Sequence, residues 1–283
     1  MTPVTDGRAT TRDGRALHLV RAGSGRPTVV LDAGMGATRS SWALVLPLVA
    51  ARTEVVAYDR AGLGRSEPAG GRERPLAALA ADLVDLLGTL DGPVVLVGHS
   101  HGGLVVRAAA AQLPDRVAGM VLVDASDERC DRFFRAAPRV AQRLSTGLLP
   151  VAARAGLLRA TARRTAAPLP PGDAAELVAE TSAVPAAEAF AAELRPFSTD
   201  LAAWRADPPA EAPCPLTVIT GTAPSRSQRR NREALLAAHV ARAAAHPDGR
   251  HVRAEASDHL VLLTEPDLVA EEVLRLVEGA RPA

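Results

Sequence analysis

The stretch PVVLVGHSHGGLVVRAAAAQ, residues 93–112, constrains this chain more than any other. Val94, Val95, Leu96 and Val97 read as a buried strand, and the alanine-rich run after Gly103 reads as a helix. Between them, Gly98-His99-Ser100-His101-Gly102 leaves room only for a sharp turn. A side chain two positions before or after Ser100 would collide with the strand or the helix, and Gly98 and Gly102 remove that obstacle. The GxSxG spacing in a strand-turn-helix setting therefore predicts a serine whose Oγ stands free above the carboxyl edge of a sheet. It would lie at a helix N-terminus, whose N–H groups favour developing negative charge.

The rest of the chain offers such a sheet. Short β-rich runs at 28–31, 54–58, 94–97, 120–123, 216–220 and 252–256 alternate with alanine- and leucine-rich stretches, clearest at 76–90, 104–112 and 266–277. That rhythm predicts an α/β fold: a mostly parallel, twisted sheet of about eight strands with helices on both faces. Asp13-Gly14, between two partly alternating segments, predicts a hairpin of antiparallel strands at one edge. The strand pattern breaks between 127 and 212, so residues 1–126 and 213–283 are read as a core domain and 127–212 as a helical cap. Phe133, Phe134, Phe190, Phe197 and Trp204 all fall in that insert, either to dock it on the sheet or to line a pocket beneath it.

Composition narrows the chemistry. The 33 basic residues balance 32 acidic ones, leaving a net charge of +1 and no footprint for nucleic acid. Every basic residue is arginine, which excludes Schiff-base chemistry and a P-loop lysine. Aromatics are 2% of the chain, too few for stacking platforms. Cys130 and Cys214 form no CxxC pattern, so neither a disulfide framework nor a zinc site is expected, and a reduced compartment fits. The polar start MTPVTDGRATTRDGR has no apolar signal stretch, and no apolar run approaches the ~18 residues of a membrane span. The expectation is a cytoplasmic protein without cofactor or metal. It would act on a small molecule, with no nucleic acid and no stable membrane insertion.

Three further segments, LDAGMG, YDRAGLGRSEP and ASDHLVLLTEPDLVAEEVLRLV, occur in order around the serine turn. Together with it they resemble the α/β-hydrolase superfamily over roughly residues 22–278, with the insert as the least constrained part. The resemblance implies Ser100 as nucleophile and His259, before the terminal helix, as general base. It also implies the backbone N–H groups of Met35 and His101 as oxyanion donors, with Gly34 and Gly36 permitting close approach. Gly34, Phe133 and Phe134 are the candidate substrate contacts. His99 and His101 point away from Ser100 Oγ on such a turn and read as packing or pocket residues, while Asp59 and Arg60 read as structural hydrogen-bonding groups.

The third triad member breaks the usual pattern. After the strand at 216–220 the chain reads TAPSRSQRRN, with no carboxylate before Glu233. Some superfamily members carry the acid after the preceding strand, which here ends MVLVDAS, so Asp124 is the leading candidate. Asp127, Glu128, Asp248, Glu233 or a dyad without an acid remain open, and Asp258 adjoins His259 and should point elsewhere. The insert holds a second anomaly: residues 129–164 carry nine Arg against one acid, Asp131. Arg132, Arg135, Arg139 and Arg143 would share a helical face, either solvated or facing an anionic substrate or membrane surface.

The leading expectation is a serine hydrolase of small or medium esters, lactones or related acyl compounds. The same constellation could serve thioester or carbon–carbon bond hydrolysis or cofactor-free perhydrolysis, or persist in an inactive ligand-binding member. Epoxide hydrolases and haloalkane dehalogenases of the superfamily use an aspartate nucleophile, which Ser100 disfavours.

Overall fold

Eight strands form one sheet in the order β1-β2-β4-β3-β5-β6-β7-β8. They are β1 (Val4–Thr10), β2 (Ala16–Ala22), β3 (Thr28–Asp32), β4 (Val55–Tyr58), β5 (Val94–His99), β6 (Val117–Val123), β7 (Leu216–Gly221) and β8 (Gly249–Ala254). The computed structural model describes residues 3–71, 73–135, 146–223 and 229–281. The pairs β1–β2 and β2–β4 are antiparallel and all others parallel. The expected hairpin closes at the sheet edge with Gly14 at φ +85°, a conformation open to glycine at no steric cost.

The central strands β3, β4 and β5 are buried at every position, as parallel strands covered on both faces must be. Their side chains alternate between two cores. Val30, Val56 and Leu96 meet Leu79, Leu83 and Leu87 of the helix Leu76–Leu87 on one face. Val29, Val55 and Val97 meet Trp42, Val49 and the terminal helix Pro266–Gly279 on the other. Each fully buried leucine of this kind contributes about 2 kcal/mol. Strand ends differ from the sequence reading by a few residues, most at β8, which begins at Gly249 rather than 252. The helix after β5, His101–Gln112, starts immediately at the turn rather than at 104, because Gly102 and Gly103 lie inside its first turn.

Between β6 and β7 the described chain is helical, with a short 3-10 turn Asp131–Phe134, residues 146–154, and the helices Leu158–Thr165, Pro171–Thr181 and Val184–Ala206. The arginine face expected across 132–143 is not formed as read. The 3-10 turn ends at Phe134 and Arg135 is extended (φ −71°, ψ 146°), so Arg132 and Arg135 share no α-helix. Arg139 and Arg143 lie outside the described residues. Cys130 and Cys214 are buried free thiols. Among the described residues no helix is long and apolar enough to cross a membrane.

Candidate active site

Ser100 sits where the spacing requires, at φ +53°, ψ −118°, between β5 and its helix. The glycines act as the steric argument demands. A Cβ on Gly98 would meet the Gly102 carbonyl oxygen at 2.5 Å, and one on Gly102 would meet the Ala33 and Asp32 carbonyl oxygens at 2.5 and 2.6 Å. The turn is tied to the end of β6: Ser100 N–H donates to Val123 O (3.1 Å) and Ser126 N–H donates to Ser100 O (2.9 Å).

Asp124 follows β6 directly, also in the left-handed region at φ +42°, and is fully buried. Its Oδ2 accepts a hydrogen bond from His259 Nδ1 at 2.7 Å. That bond places the proton on Nδ1 and leaves Nε2 as the free acceptor. Asp124 is held further by Gly221 N–H (3.0 Å to Oδ1) and by Arg232, whose Nη1 lies 2.8 Å from Oδ2 and whose Nη2 also bonds Oδ1. Burial alone would raise the Asp124 pKa, but the bonds from His259 and Arg232 overcome it and hold the carboxyl well below its usual range. Ser100, Asp124 and His259 line one cavity of about 240 Å³, with Ser126, Arg132, Phe133 and Arg232.

The other carboxylates weighed for this position are occupied or local. Asp127 and Glu128 pair with Arg242 (2.5 and 2.6 Å), and Glu128 also binds Arg107 at 2.7 Å. Asp258 Oδ1 accepts from the His259 backbone N–H at 2.5 Å. Asp248 belongs to the turn before β8, where its N–H donates to His246 Nδ1, and Glu233 lies on the helix Arg229–Ala245.

His99 is buried, and its Nε2–H donates to the backbone oxygen of His259 at 2.9 Å, with the two rings 4.8 Å apart. Burial first, and the neighbouring His259 second, push its pKa down to about 3, so its ring stays neutral. His101 is buried edge-on to Phe197, and its Nδ1 lies 3.9 Å from Glu193 Oε2, beyond hydrogen-bond reach. Both thus occupy packing and pocket positions. Gly34 lies beside Ser100, where an added Cβ would come within 3.4 Å of the serine Cβ. The loop of Gly34, Met35 and Gly36 therefore borders the serine, with Gly36 at φ +65°.

Arg60 is the structural hydrogen-bonding group that the sequence suggests, but its partner Glu193 was not foreseen. Arg60 donates to Ala33 O (2.6 Å) and Gly34 O (2.5 Å), to Asp32 (2.5 Å) and to both oxygens of Glu193 (2.8 and 3.0 Å). Glu193, from the long helix Val184–Ala206, in turn accepts from Gly36 N–H at 3.1 Å. Burial would raise the Glu193 pKa, but Arg60 overrides it and lowers it to about 2. The available signal was positional: in an alanine-rich helix, Glu193 falls three residues after Phe190 and four before Phe197, on the face turned to the core.

A second cavity, of about 500 Å³, opens beyond this loop. Met35, Gly36 and His99 line it on the side of this loop, and Leu149, Leu158, Leu177, Phe190, Leu260 and Leu262 line it together with Thr161, Thr165 and Thr181. The insert's aromatic rings divide between the two expected roles. Phe190 and Phe133 line cavities, whereas Trp204 packs beneath Arg107. Phe134, expected to contact substrate, lies 3.7 Å under the Arg205 guanidinium and lines neither of these two cavities.

A sheet of this order, with a serine turn after β5 and a histidine after β8 that meets an acid after β6, is the architecture of one hydrolase class. The profile of the alpha/beta hydrolase family matches residues 29–272, and the chain belongs to that family. Among similar sequences, an AB hydrolase superfamily protein of Gibberella zeae is 33% identical over 109 residues, 37% of this chain and 34% of the relative. A Caulobacter sp. (strain K31) protein provisionally named carbamate hydrolase RutD is 36% identical over 110 residues, 38% of this chain and 41% of its own length. The matched stretch thus spans well under half of these relatives. Among solved structures, the epoxide hydrolase CorEH superposes with a TM-score of 0.70 at 21% identity, covering 99% of this chain and 100% of that one. Cfl2 from Burkholderia cenocepacia superposes with a TM-score of 0.75 at 21% identity, over 97% and 96% of the two chains. At such identities the likeness concerns the fold.

Proposed function

We propose that this chain is a serine hydrolase of small or medium esters, lactones or related acyl compounds, working through Ser100, His259 and Asp124 without a cofactor. The observation that carries the reading is the 2.7 Å bond between His259 Nδ1 and a buried, ionised Asp124, facing the cavity that Ser100 lines. In the reaction, Ser100 Oγ attacks the acyl carbon while His259 Nε2 takes the hydroxyl proton. Asp124 stabilises the resulting imidazolium, and the backbone N–H groups of Met35 and His101 bind the oxyanion. Collapse of the tetrahedral species transfers the proton from Nε2 to the leaving group and leaves an acyl-serine. Water then gives a proton to Nε2, attacks the acyl carbon, and releases the acid as Ser100 recovers its proton. The insert, residues 127–212, serves as a lid whose leucines and Phe190 hold the apolar part of the substrate.

A carbamate, the substrate class in the name of the Caulobacter relative, falls within this acyl chemistry. The epoxide hydrolase named among the solved neighbours is a fold likeness, and a serine at the turn favours acyl transfer for this chain. The test is labelling by a fluorophosphonate together with turnover of short-chain p-nitrophenyl esters. Wild type labels and turns over, and Ser100→Ala does neither. A folded wild type that takes no label removes the proposal.

A further inference from the structure

The cavity that holds Ser100 and His259 has an uncompensated charge. Its wall contains one carboxylate, Asp124, and two guanidinium groups, Arg132 and Arg232. Arg232 is committed to Asp124 through both terminal nitrogens and to Gly221 O at 2.6 Å, so those two charges cancel. Arg132 is half-buried, and its guanidinium carbon lies 5.3 Å from the centre of the Phe133 ring. The acid next to it in sequence, Asp131, is taken by Arg205 at 2.9 Å. Among the described residues no carboxylate pairs with Arg132. Of the other described arginines in that stretch, Arg154 pairs with Glu188 and Arg129 donates to the Ala241 carbonyl, and Arg132 alone among them lines this cavity. A positive charge thus stands in the same cavity as the nucleophile, stacked on an aromatic ring, with no carboxylate partner among the described residues.

Resting on the serine-hydrolase reading, we propose that Arg132 selects substrates whose leaving group carries a carboxylate or an anion of similar size, while the apolar cavity takes a hydrocarbon acyl chain. The leaving group receives its proton from His259, and His259 and Arg132 line the same cavity, which puts the anion on that side of the scissile bond. The 240 Å³ of that cavity accommodates roughly eight non-hydrogen atoms at ~30 Å³ each, enough for a short hydroxy acid. The leucine-lined cavity beyond Met35 carries no charged side chain and suits the acyl chain. A guanidinium meets a carboxylate through two parallel hydrogen bonds, which fixes orientation as well as adding affinity.

The test follows butanoate release from two esters that differ in one carboxylate, ethyl butanoate and 3-butanoyloxypropanoate, whose leaving groups both fit the cavity. Wild type is expected to favour the anionic ester in kcat/KM by roughly ten- to hundredfold, the value of a charge-assisted hydrogen bond. Arg132→Gln brings the ratio close to one, and Arg132→Lys restores part of it. The ratio is taken within one preparation and is independent of the folded fraction. A second reading needs no turnover: the product 3-hydroxypropanoate slows fluorophosphonate labelling of Ser100 in wild type but not in Arg132→Gln. A wild-type ratio at or below one, a preference that survives Arg132→Gln, or labelling unaffected by the product would overturn the proposal. Absence of labelling overturns the hydrolase reading itself, which separates the two failures.

Discussion

Asp124 Oδ2 and His259 Nδ1 lie 2.7 Å apart although 135 residues separate them in the chain. The contact joins the end of β6 to the loop after β8, with β7 between them in the sheet. Asp124→Asn retains the shape but presents an amide to Nδ1 and favours the wrong tautomer of the imidazole. Its kcat on a p-nitrophenyl ester is expected to fall about 10³- to 10⁴-fold with little change in KM. Near-normal turnover would remove Asp124 from the reaction.

Arg232 fixes the other side of Asp124 in a site shielded from water. Arg232→Leu leaves a buried carboxylate with one partner fewer. Breaking such a pair costs about 3–5 kcal/mol, read from urea unfolding, and turnover should drop about tenfold as the carboxylate gains freedom. In a double-mutant cycle with Asp124→Asn the stability losses should fall short of the sum, because each single change strands the other's charge. Additive losses would show that the two side chains act separately.

Glu193 offers a measurement in which the sign is fixed. Its pKa falls from 4.5 to about 2 on folding, so its contribution of about 3 kcal/mol is present above pH 4.5 and lost as pH falls toward 2. Glu193→Gln should therefore unfold more readily than wild type at pH 7, and the gap should narrow by pH 3. A gap that stays constant with pH would contradict the ionised pairing with Arg60.

His99 acts over a different window. Folding lowers its pKa from 6.5 to about 3, so the unfolded chain binds the extra proton between those values and stability rises with pH across them. One proton corresponds to about 1.4 kcal/mol per pH unit. Between pH 4.5 and 6, His99→Gln should reduce the slope of unfolding free energy against pH by about that amount. An unchanged slope would mean that the ring is protonated in the fold.

Gly102→Ala tests the turn. The new methyl would press on the Ala33 and Asp32 carbonyl oxygens, which belong to the backbone and cannot rotate away. A loss of at least 1–3 kcal/mol in stability and of Ser100 labelling is expected, measured by thermal unfolding and fluorophosphonate uptake. A variant with wild-type stability and labelling would refute the steric account.

The parts legible in the sequence are those where backbone geometry leaves one solution. Gly98 and Gly102 around Ser100 admit only a tight turn, and Val94 to Val97 only a buried strand, so the sheet and its serine could be read in advance. Asp124 was readable because the usual position lacked a carboxylate, but TAPSRSQRRN was read only for what it lacked. The helix that follows that segment in fact supplies Arg232, the cation that clamps Asp124. Buried ion pairs escaped for a physical reason: an arginine looks the same in sequence whether its partner is water or a carboxylate over a hundred positions away. Arg60 with Glu193 and Arg242 with Glu128 are of this kind. Arg132 and Arg135 depart from the expected arginine face because the chain there makes a 3-10 turn that ends at Phe134, while Arg139 and Arg143 lie outside the described residues.

The tie from Glu193 to Arg60 and the Gly36 amide means that roof and floor of the site are one mechanical piece. Prising the Val184–Ala206 helix upward would strand opposite charges in a dry interior at a cost of several kcal/mol and slacken the backbone beside the serine at the same moment. On the proposed function, substrate and product would pass at the flanks of that helix, whose alanine-rich length is held as a fixed beam rather than a hinged door.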